Sequence, residues 1–311
     1  MNALILNLNL SVDKTVLIPG FRPGRIYRVG ETLTLPGGKG VNVARALRSL
    51  GMEVPIAGFA SGRNGGWIAD RLRSEGFSAF IERHSAGESR VCLTVADSRG
   101  LTTDINEEGP AVPAASQRRF LSRFSSLAPR FRAVAVCGRS SAGLAKGFYA
   151  SLVKRAAAHG CFSMFDTSGP ALAEALEAGA EGIKINRHEF EELCRCRFSR
   201  RLVHDFFRRN SARGLKTLIV TDGAGVSYAA SPFGLWAVVP PPLRSLRSAV
   251  GAGDAFMAGF LFGFLSAYGF EKSLRLAAGA AAADCLTLGA GHIDPRKAEL
   301  YSRRTEVRKV A

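Results

Sequence analysis

From Arg132 to Gly223 the sequence alternates short apolar runs with longer amphipathic ones, and this alternation narrows the fold more than any other feature. "RAVAVCG", "CFSMFD", "EGIKIN" and "KTLIVTDG" have the length and residue types of buried strands. Between them, "GLAKGFYASLVKRAAAHG" reads as a helix closed by Gly160, and "PALAEALEAG" as a short helix with Pro170 at its start. "RHEFEELCRC" and "FSRRLVHDFFRRNSARG" are helical as well. Strands separated by crossover helices of this length predict an α/β fold, a doubly covered, mostly parallel sheet. Near the N-terminus, "MNALILNLNLSVD" predicts a first strand. "KGVNVARALRSLG" predicts a helix with Val43, Ala46, Leu47 and Leu50 on one stripe and Gly51 as its stop.

Two segments break this grammar. "GRIYRVGETLTL" (24–35) and "RVCLTVADSRGLTTDIN" (90–106) alternate like antiparallel strands with one wetted face. Paired with each other, they would form a small sheet capping the main one, a common way to keep water from an anion site. The expected organisation is one domain, 1–311, with a β-sheet lid from about 12–35 and 90–106.

At 47% hydrophobic and 22% charged residues, the chain has enough apolar material for a sizeable core. No run of 18 or more uncharged apolar residues occurs, so neither a spanning helix nor a membrane partner is expected. The N-terminus lacks the basic flank and small-residue cleavage site of a signal peptide. The six cysteines include no CxxC pair, and Cys194 and Cys196 are too close for the usual zinc spacing. Reduced thiols and a cytoplasmic location are the expectation. The net charge of +16 suits an anionic small molecule such as a nucleotide or sugar phosphate, and equally a solvated basic surface. No nucleic-acid-binding module is visible, which argues against a nucleic-acid partner.

Three glycine-rich elements carry candidate chemistry. In "LPGGKGVNVARALRSLG", Gly37, Gly38 and Gly40 open a helix and carry Lys39, a nest for a phosphorylated ligand, with Asn42 placed to bond a hydroxyl. A tight turn explains the same glycines. In "LIVTDGAGVSYAA", Thr221, Gly223 and Gly225 follow a buried strand; they suit a nucleotide's phosphate tail or an ordinary hairpin turn. The third is "SAVGAGDAFMAGFLFG". Backbone N–H groups at its helix start would stabilise a transferred phosphoryl group while Asp254 accepts a hydroxyl proton. An aspartate that merely complements the helix dipole is the alternative, but it leaves the glycines on both sides of Ala252 unexplained.

Taken together, "PGGKGVNVARALRSLG" and "VGAGDAFMAGFLFG" resemble the two signatures of the PfkB, or ribokinase-like, carbohydrate kinases, with "KINRHEF" and "VTDGAGV" similar to segments between them. Within that family, "LNLSVD", "TTDINEEGP", "FDTSGPAL" and "VVPPP" are similar to the hexose-phosphate branch, the 1-phosphofructokinases and tagatose-6-phosphate kinases. The resemblance covers nearly the whole chain. It implies a ribokinase-like fold and ATP-dependent phosphorylation of a ketohexose phosphate, fructose 1-phosphate first, with tagatose 6-phosphate or fructose 6-phosphate as alternatives. A kinase of an unphosphorylated sugar or nucleoside, or a non-catalytic sugar-phosphate sensor, is a more distant alternative.

The resemblance also implies residue roles. Asp254 is the expected base, with Gly251, Ala252 and Gly253 as the anion hole. Asp13, Gly38 and Asn42 are expected on the sugar hydroxyls, with Lys39 and Arg90 on the substrate's phosphate and Asn106 also on the substrate side. Lys184 and Asn186 are assigned to the nucleotide phosphates, Glu189 to Mg²⁺, and Thr221, Gly223 and Gly225 to the nucleotide tail. A homodimer formed through the lid is a further expectation. Leu10 and Ile185 stand where the family has proline, and "CGRSSAGL" (137–144) departs from the branch's usual Ser-Gly-Ser-Leu-Pro. Arg139 in that loop bears on which sugar is taken.

Overall fold

The computed structural model describes residues 3–30, 32–97, 101–243 and 245–311. The apolar N-terminal run is two strands, β1 (Ala3–Asn7) and β2 (Ser11–Leu17); positions 1 and 2 of the expected first strand lie outside the described residues, as do 31 and 98–100 of the lid segments. Next come β3 (Thr32–Gly37), α1 (Lys39–Ser49), β4 (Ile56–Ser61), α2 (Gly62–Ser74) and β5 (Ala79–His84). β6 (Val91–Ala96) and β7 (Thr102–Asn106) form a hairpin, followed by α3 (Ala114–Leu127). The expected alternation then sets in: β8 (Ala133–Cys137), α4 (Phe148–Ala158), β9 (Phe162–Asp166), α5 (Gly169–Glu177) and β10 (Gly182–Asn186). It continues with α6 (Arg187–Cys194), α7 (Arg200–Ser211) and β11 (Thr217–Thr221). Last are β12 (Ser227–Ser231), β13 (Gly234–Val239), α8 (Ala252–Leu265), α9 (Phe270–Asp284), α10 (Pro295–Arg304) and β14 (Glu306–Lys309).

Ten strands form one sheet in the order β14-β13-β12-β11-β10-β9-β8-β1-β4-β5. Neighbours from β11 to β5 are parallel, and β12, β13 and β14 add an antiparallel edge. Both faces are covered, and β1 shows it directly. Ala3 and Ile5 pack with Val41 and Phe256 on one side, while Leu4 and Leu6 pack with Phe120 and Leu152 on the other. The strand order reverses between β1 and β8, so the loops leaving their C-terminal ends diverge and open a crevice there.

The structure corrects four expectations. β2 lies between β3 and β6, antiparallel to the first and parallel to the second, so the two lid segments do not pair with each other. The strand of the first segment begins only at Thr32, and residues 24–30 carry none. The helix expected over 143–160 begins at Phe148, because Gly147 stands at φ +90°, outside any right-handed helix. Helix α1 is buried from Gly40 to Leu47, not along one stripe, because α8 covers the side away from the sheet.

Helices α8 and α9 pack closely because glycine faces backbone. A Cβ at Gly259 would lie 2.7 Å from the Ala277 Cα, and one at Gly263 would lie 2.6 Å from Ser273 Oγ. In α2, a Cβ at Gly66 would meet only the mobile end of Arg83, at 3.3 Å. Gly259→Ala is therefore expected to lose about 1–3 kcal/mol by forcing the helices apart, despite alanine's better helix propensity. Gly66→Ala should gain about 0.5–1 kcal/mol. Urea midpoints at unchanged slope would establish both signs.

Candidate active site

The glycine loop ahead of α1 is pinned from two strands. At its end, Gly38 caps α1 at φ +104°, a conformation a side chain would strain. Asn7, ending β1, accepts from the Gly40 N–H at 3.1 Å and donates to the Gly37 carbonyl at 3.3 Å. Asp13 in β2 accepts from the Gly38 N–H at 3.3 Å and from the Ser11 hydroxyl at 2.6 Å. Pinned in this way, α1 presents Lys39 and, one turn later, Asn42 to the ends of the central strands.

Lys39 Nζ reaches Asp166 Oδ1 at 2.9 Å and lies 3.6 Å from Glu189 Oε1. Lys184 Nζ, from the neighbouring strand β10, takes the other Asp166 oxygen at 2.7 Å. A Cβ at Gly253 would sit 2.9 Å from that ammonium, so Lys184 abuts the first turn of α8. Asn42 Nδ2 donates to Asp254 Oδ2 at 2.8 Å. In the first turn the Ala252 N–H donates to the Ala249 carbonyl at 3.3 Å, and the N–H of Gly253, like any in a helix's first turn, has no acceptor within the helix ladder.

The charges are strongly coupled. Asp254 is buried, which pushes its pKa up to about 6; Asp166 adds to the rise, and Lys39, Lys184 and the Asn42 bond oppose it. Burial works to raise Asp166 too, but Lys184 and then Lys39 outweigh it and hold that carboxyl below its ordinary value. Lys39 is raised, by Asp166 above all and against burial, with Asp254 and Glu189 adding.

The nucleotide-side candidates lie at the ends of adjacent strands, with Asn186 in register with Thr221. Asn186 and Glu189 form a capping box on α6: Asn186 Oδ1 accepts from the Glu189 N–H at 2.8 Å, and Glu189 Oε2 accepts from the Asn186 N–H at 2.9 Å. Thr221 donates to the Ile185 carbonyl at 3.4 Å, and Gly223 and Gly225 shape the hairpin turn into β12.

Arg90 and Asn106 stand apart from the Asp254 network. Arg90 precedes β6 beside Asn9 and Gly109, and its buried Nε has no partner. Asn106 is exposed on β7. Lys39, which the sequence expectation joins with Arg90 on one phosphate, is paired here with Asp166. Arg139 is exposed, 3.6 Å from Glu108, where solvent makes an ion pair worth little. A cleft lies between lid and helices, lined by Asp13, Thr15, Asn42, Thr94 and Ser248 among others.

Sequence reasoning did not single out Asn7, Asp166 or Asp284. Asp166 had one signal, an acid closing an otherwise apolar strand, "CFSMFD". Asn7 had none, since its partners are backbone groups 30 and 33 residues away, and Asp284 had none, since it bonds a loop N–H seven residues on that no local pattern marks.

A buried carboxylate at a glycine-opened helix, flanked by two lysines, defines a site suited to moving a phosphoryl group to a hydroxyl. The model of the pfkB family of carbohydrate kinases matches residues 7–297, and the chain belongs to that family. Over 294 residues it is 33% identical to a 1-phosphofructokinase of Rhodobacter capsulatus, covering 93% of this chain and 90% of that one. It is 27% identical to a tagatose-6-phosphate kinase of Staphylococcus epidermidis over 99% of both chains. A solved structure described as a possible 1-phosphofructokinase of Thermotoga maritima superposes with a TM-score of 0.90 over the whole of both chains, at 22% identity. That likeness establishes the ribokinase-type fold. Among the described residues, no helix is long and apolar enough to cross a membrane.

Removing the shared anion should expose the dependence of both lysines on it. Asp166→Asn strands Lys184, a buried ammonium, and should cost about 3–5 kcal/mol of stability in urea unfolding. A loss under about 1 kcal/mol would place the network in far wetter surroundings than its burial indicates.

Proposed function

We propose that this kinase transfers the terminal phosphoryl group of ATP to a ketohexose that already carries a phosphate, converting fructose 1-phosphate to fructose 1,6-bisphosphate. Tagatose 6-phosphate and fructose 6-phosphate are the alternatives within the same chemistry. One observation carries the reaction: Asp254 is a buried carboxyl, oriented by Asn42, with a pKa pushed to about 6. At neutral pH it is ionised yet basic enough to take a hydroxyl proton as the oxygen attacks. Gly251, Ala252 and Gly253 supply N–H groups to the transferred phosphoryl, and Lys184 offsets its charge.

Asp13, Gly38 and Asn42 seat the sugar's hydroxyls at the cleft floor. Lys39, committed to Asp166 and close to Asp254, serves the transferring phosphoryl better than the substrate's own phosphate. Arg90 takes the latter role: its buried, unpartnered Nε favours an anion, and a guanidinium grips phosphate at two points. Asn106, on the lid, adds a polar contact to the sugar. Thr221, Gly223 and Gly225 line the nucleotide's tail, with Lys184 and Asn186 on its phosphates.

Mg²⁺ keeps most of its waters and needs one or two carboxylates besides ATP oxygens. Glu189 fits, because one of its oxygens is held by the Asn186 N–H while the other has only a 3.6 Å approach from Lys39. When bound, the ion neutralises charge on the ATP phosphates. A second copy meeting the lid is the reading for Leu17, Leu33 and Ile105, exposed at 54%, 41% and 55% on its strands.

Asp254→Asn should lower turnover by about 10²–10⁴-fold while ATP binding persists, measured by coupled ADP release and by calorimetry. The ionised carboxylate is the active form, so wild-type turnover should fall as pH drops through about 6. A variant with near wild-type turnover would remove Asp254 from the chemistry.

Substrate choice is tested with fructose 1-phosphate, tagatose 6-phosphate, fructose 6-phosphate and free fructose. Arg90→Ala should lose about 1.5–3 kcal/mol in kcat/KM for the preferred sugar phosphate and leave ATP affinity unchanged. A wild type preferring free fructose, or a variant weakened toward ATP, would refute the phosphate role.

A further inference from the structure

Asp284 closes α9 and is 1% exposed, yet no role above uses it. One carboxyl oxygen accepts from the Gly291 N–H at 2.8 Å, and the other, fully buried, has no partner. That bare oxygen faces the start of α8: a Cβ at Gly251 would lie 2.8 Å from it. Gly291 in turn lies against α1, where a Cβ would come within 2.5 Å of the Asn42 carbonyl and 3.0 Å of the Arg45 Cβ. Asp284 therefore ties the loop after α9 to the helix that carries Asn42, on the far side of the Gly251 turn from the reacting groups.

We propose that Asp284 is a positioning residue that must stay protonated for turnover, because its ionisation would set a negative charge directly behind the N–H groups that receive the phosphoryl. An uncharged acid leaves the positive end of α8 intact, whereas a carboxylate there cancels part of the field the transfer depends on. The surroundings favour the proton. Burial raises Asp284 to about 7, the charge of Asp254 adds to the rise, and only the Gly291 bond opposes it. Among the described residues, no cation counters that rise. From α8 it faces Asp254, and beside it on α9 stands the Cys285 thiol, itself raised by burial and by Asp284. From α1, Arg45 is committed to Glu75 at 3.0 Å and to the Pro36 carbonyl at 2.8 Å. His292, next to Gly291, is lowered by burial and by Arg45. Arrival of a nucleotide's phosphates adds further negative charge nearby and strengthens the hold on the proton. The reaction then has an acid limb from Asp254 and an alkaline limb from Asp284, with apparent values shared between the two coupled groups.

The proposal rests on the phosphoryl-transfer reading, so one measurement needs no substrate. In protein labelled with ¹³C at aspartate carboxyls, the resonance missing from Asp284→Asn should titrate near pH 7. A midpoint below 5 would overturn the proposal whatever the sugar proves to be. In the assay, wild-type kcat for the preferred sugar phosphate should fall on the order of tenfold between pH 7 and 8.5. Asp284→Asn keeps the acceptor for Gly291 and should lose that alkaline limb while keeping the acid one. A wild-type kcat level to pH 9 would overturn the idea without any variant. So would an alkaline limb unchanged in Asp284→Asn, or activation by K⁺ that this variant abolishes, which would make the carboxylate a cation ligand. If no sugar phosphate is turned over, the reading of function fails, and the carboxyl titration still decides the state of Asp284.

Discussion

Asp166 is the interaction on which the rest of the site depends. It is a fully buried carboxylate that would be costly alone and is kept ionised by two lysines from different elements. Because each lysine takes a separate oxygen, the carboxylate fixes the spacing between α1 and β10, and through Lys184 the approach of α8. Remote parts of the chain are thereby held in one charge arrangement before any ligand arrives. Such preorganisation lets a site stabilise developing charge without first rearranging itself.

Close helix packing gives the second constraint. Asp254 occupies the first turn of a helix whose own glycines seat it against α9 backbone, so its height above the sheet is set by contacts that do not yield. The same helix covers α1, which brings Asn42 within hydrogen-bond distance of Asp254. Asp254, the Asn42 amide and the first turn of α8 are thus held in one packed unit.

Much of this was legible in the residues. The parallel sheet followed from uniformly apolar strands, and the glycine-opened helices marked both ends of the site. What was not legible depended on side chains bonding backbone groups outside their own element. Asn7 spends its side chain on the backbone at positions 37 and 40, and Asp284 on that of position 291; neither bond has a periodic or local signature. The expected lid, from about residue 12, took in β2, but its place between β3 and β6 was not legible because β1 and β2 read as one apolar run, although only three residues separate strands of two different sheets. Lys39 was legible as a cation but not in its direction, which an acid on another strand decides.

The placement of β2 has a mechanical consequence. Three residues link it to β1, a central strand, and its Asp13 holds the Gly38 N–H, while Gly38 alone separates β3 from α1. The lid and the floor of the cleft are thus joined through Asp13 and Gly38. Any swing of the lid would displace Asp13 and the start of α1, so the lid's position and the alignment of Lys39 and Asn42 cannot vary independently. A ligand large enough to engage the lid would therefore also draw on the start of α1, whereas a water molecule, too small to reach it, would not.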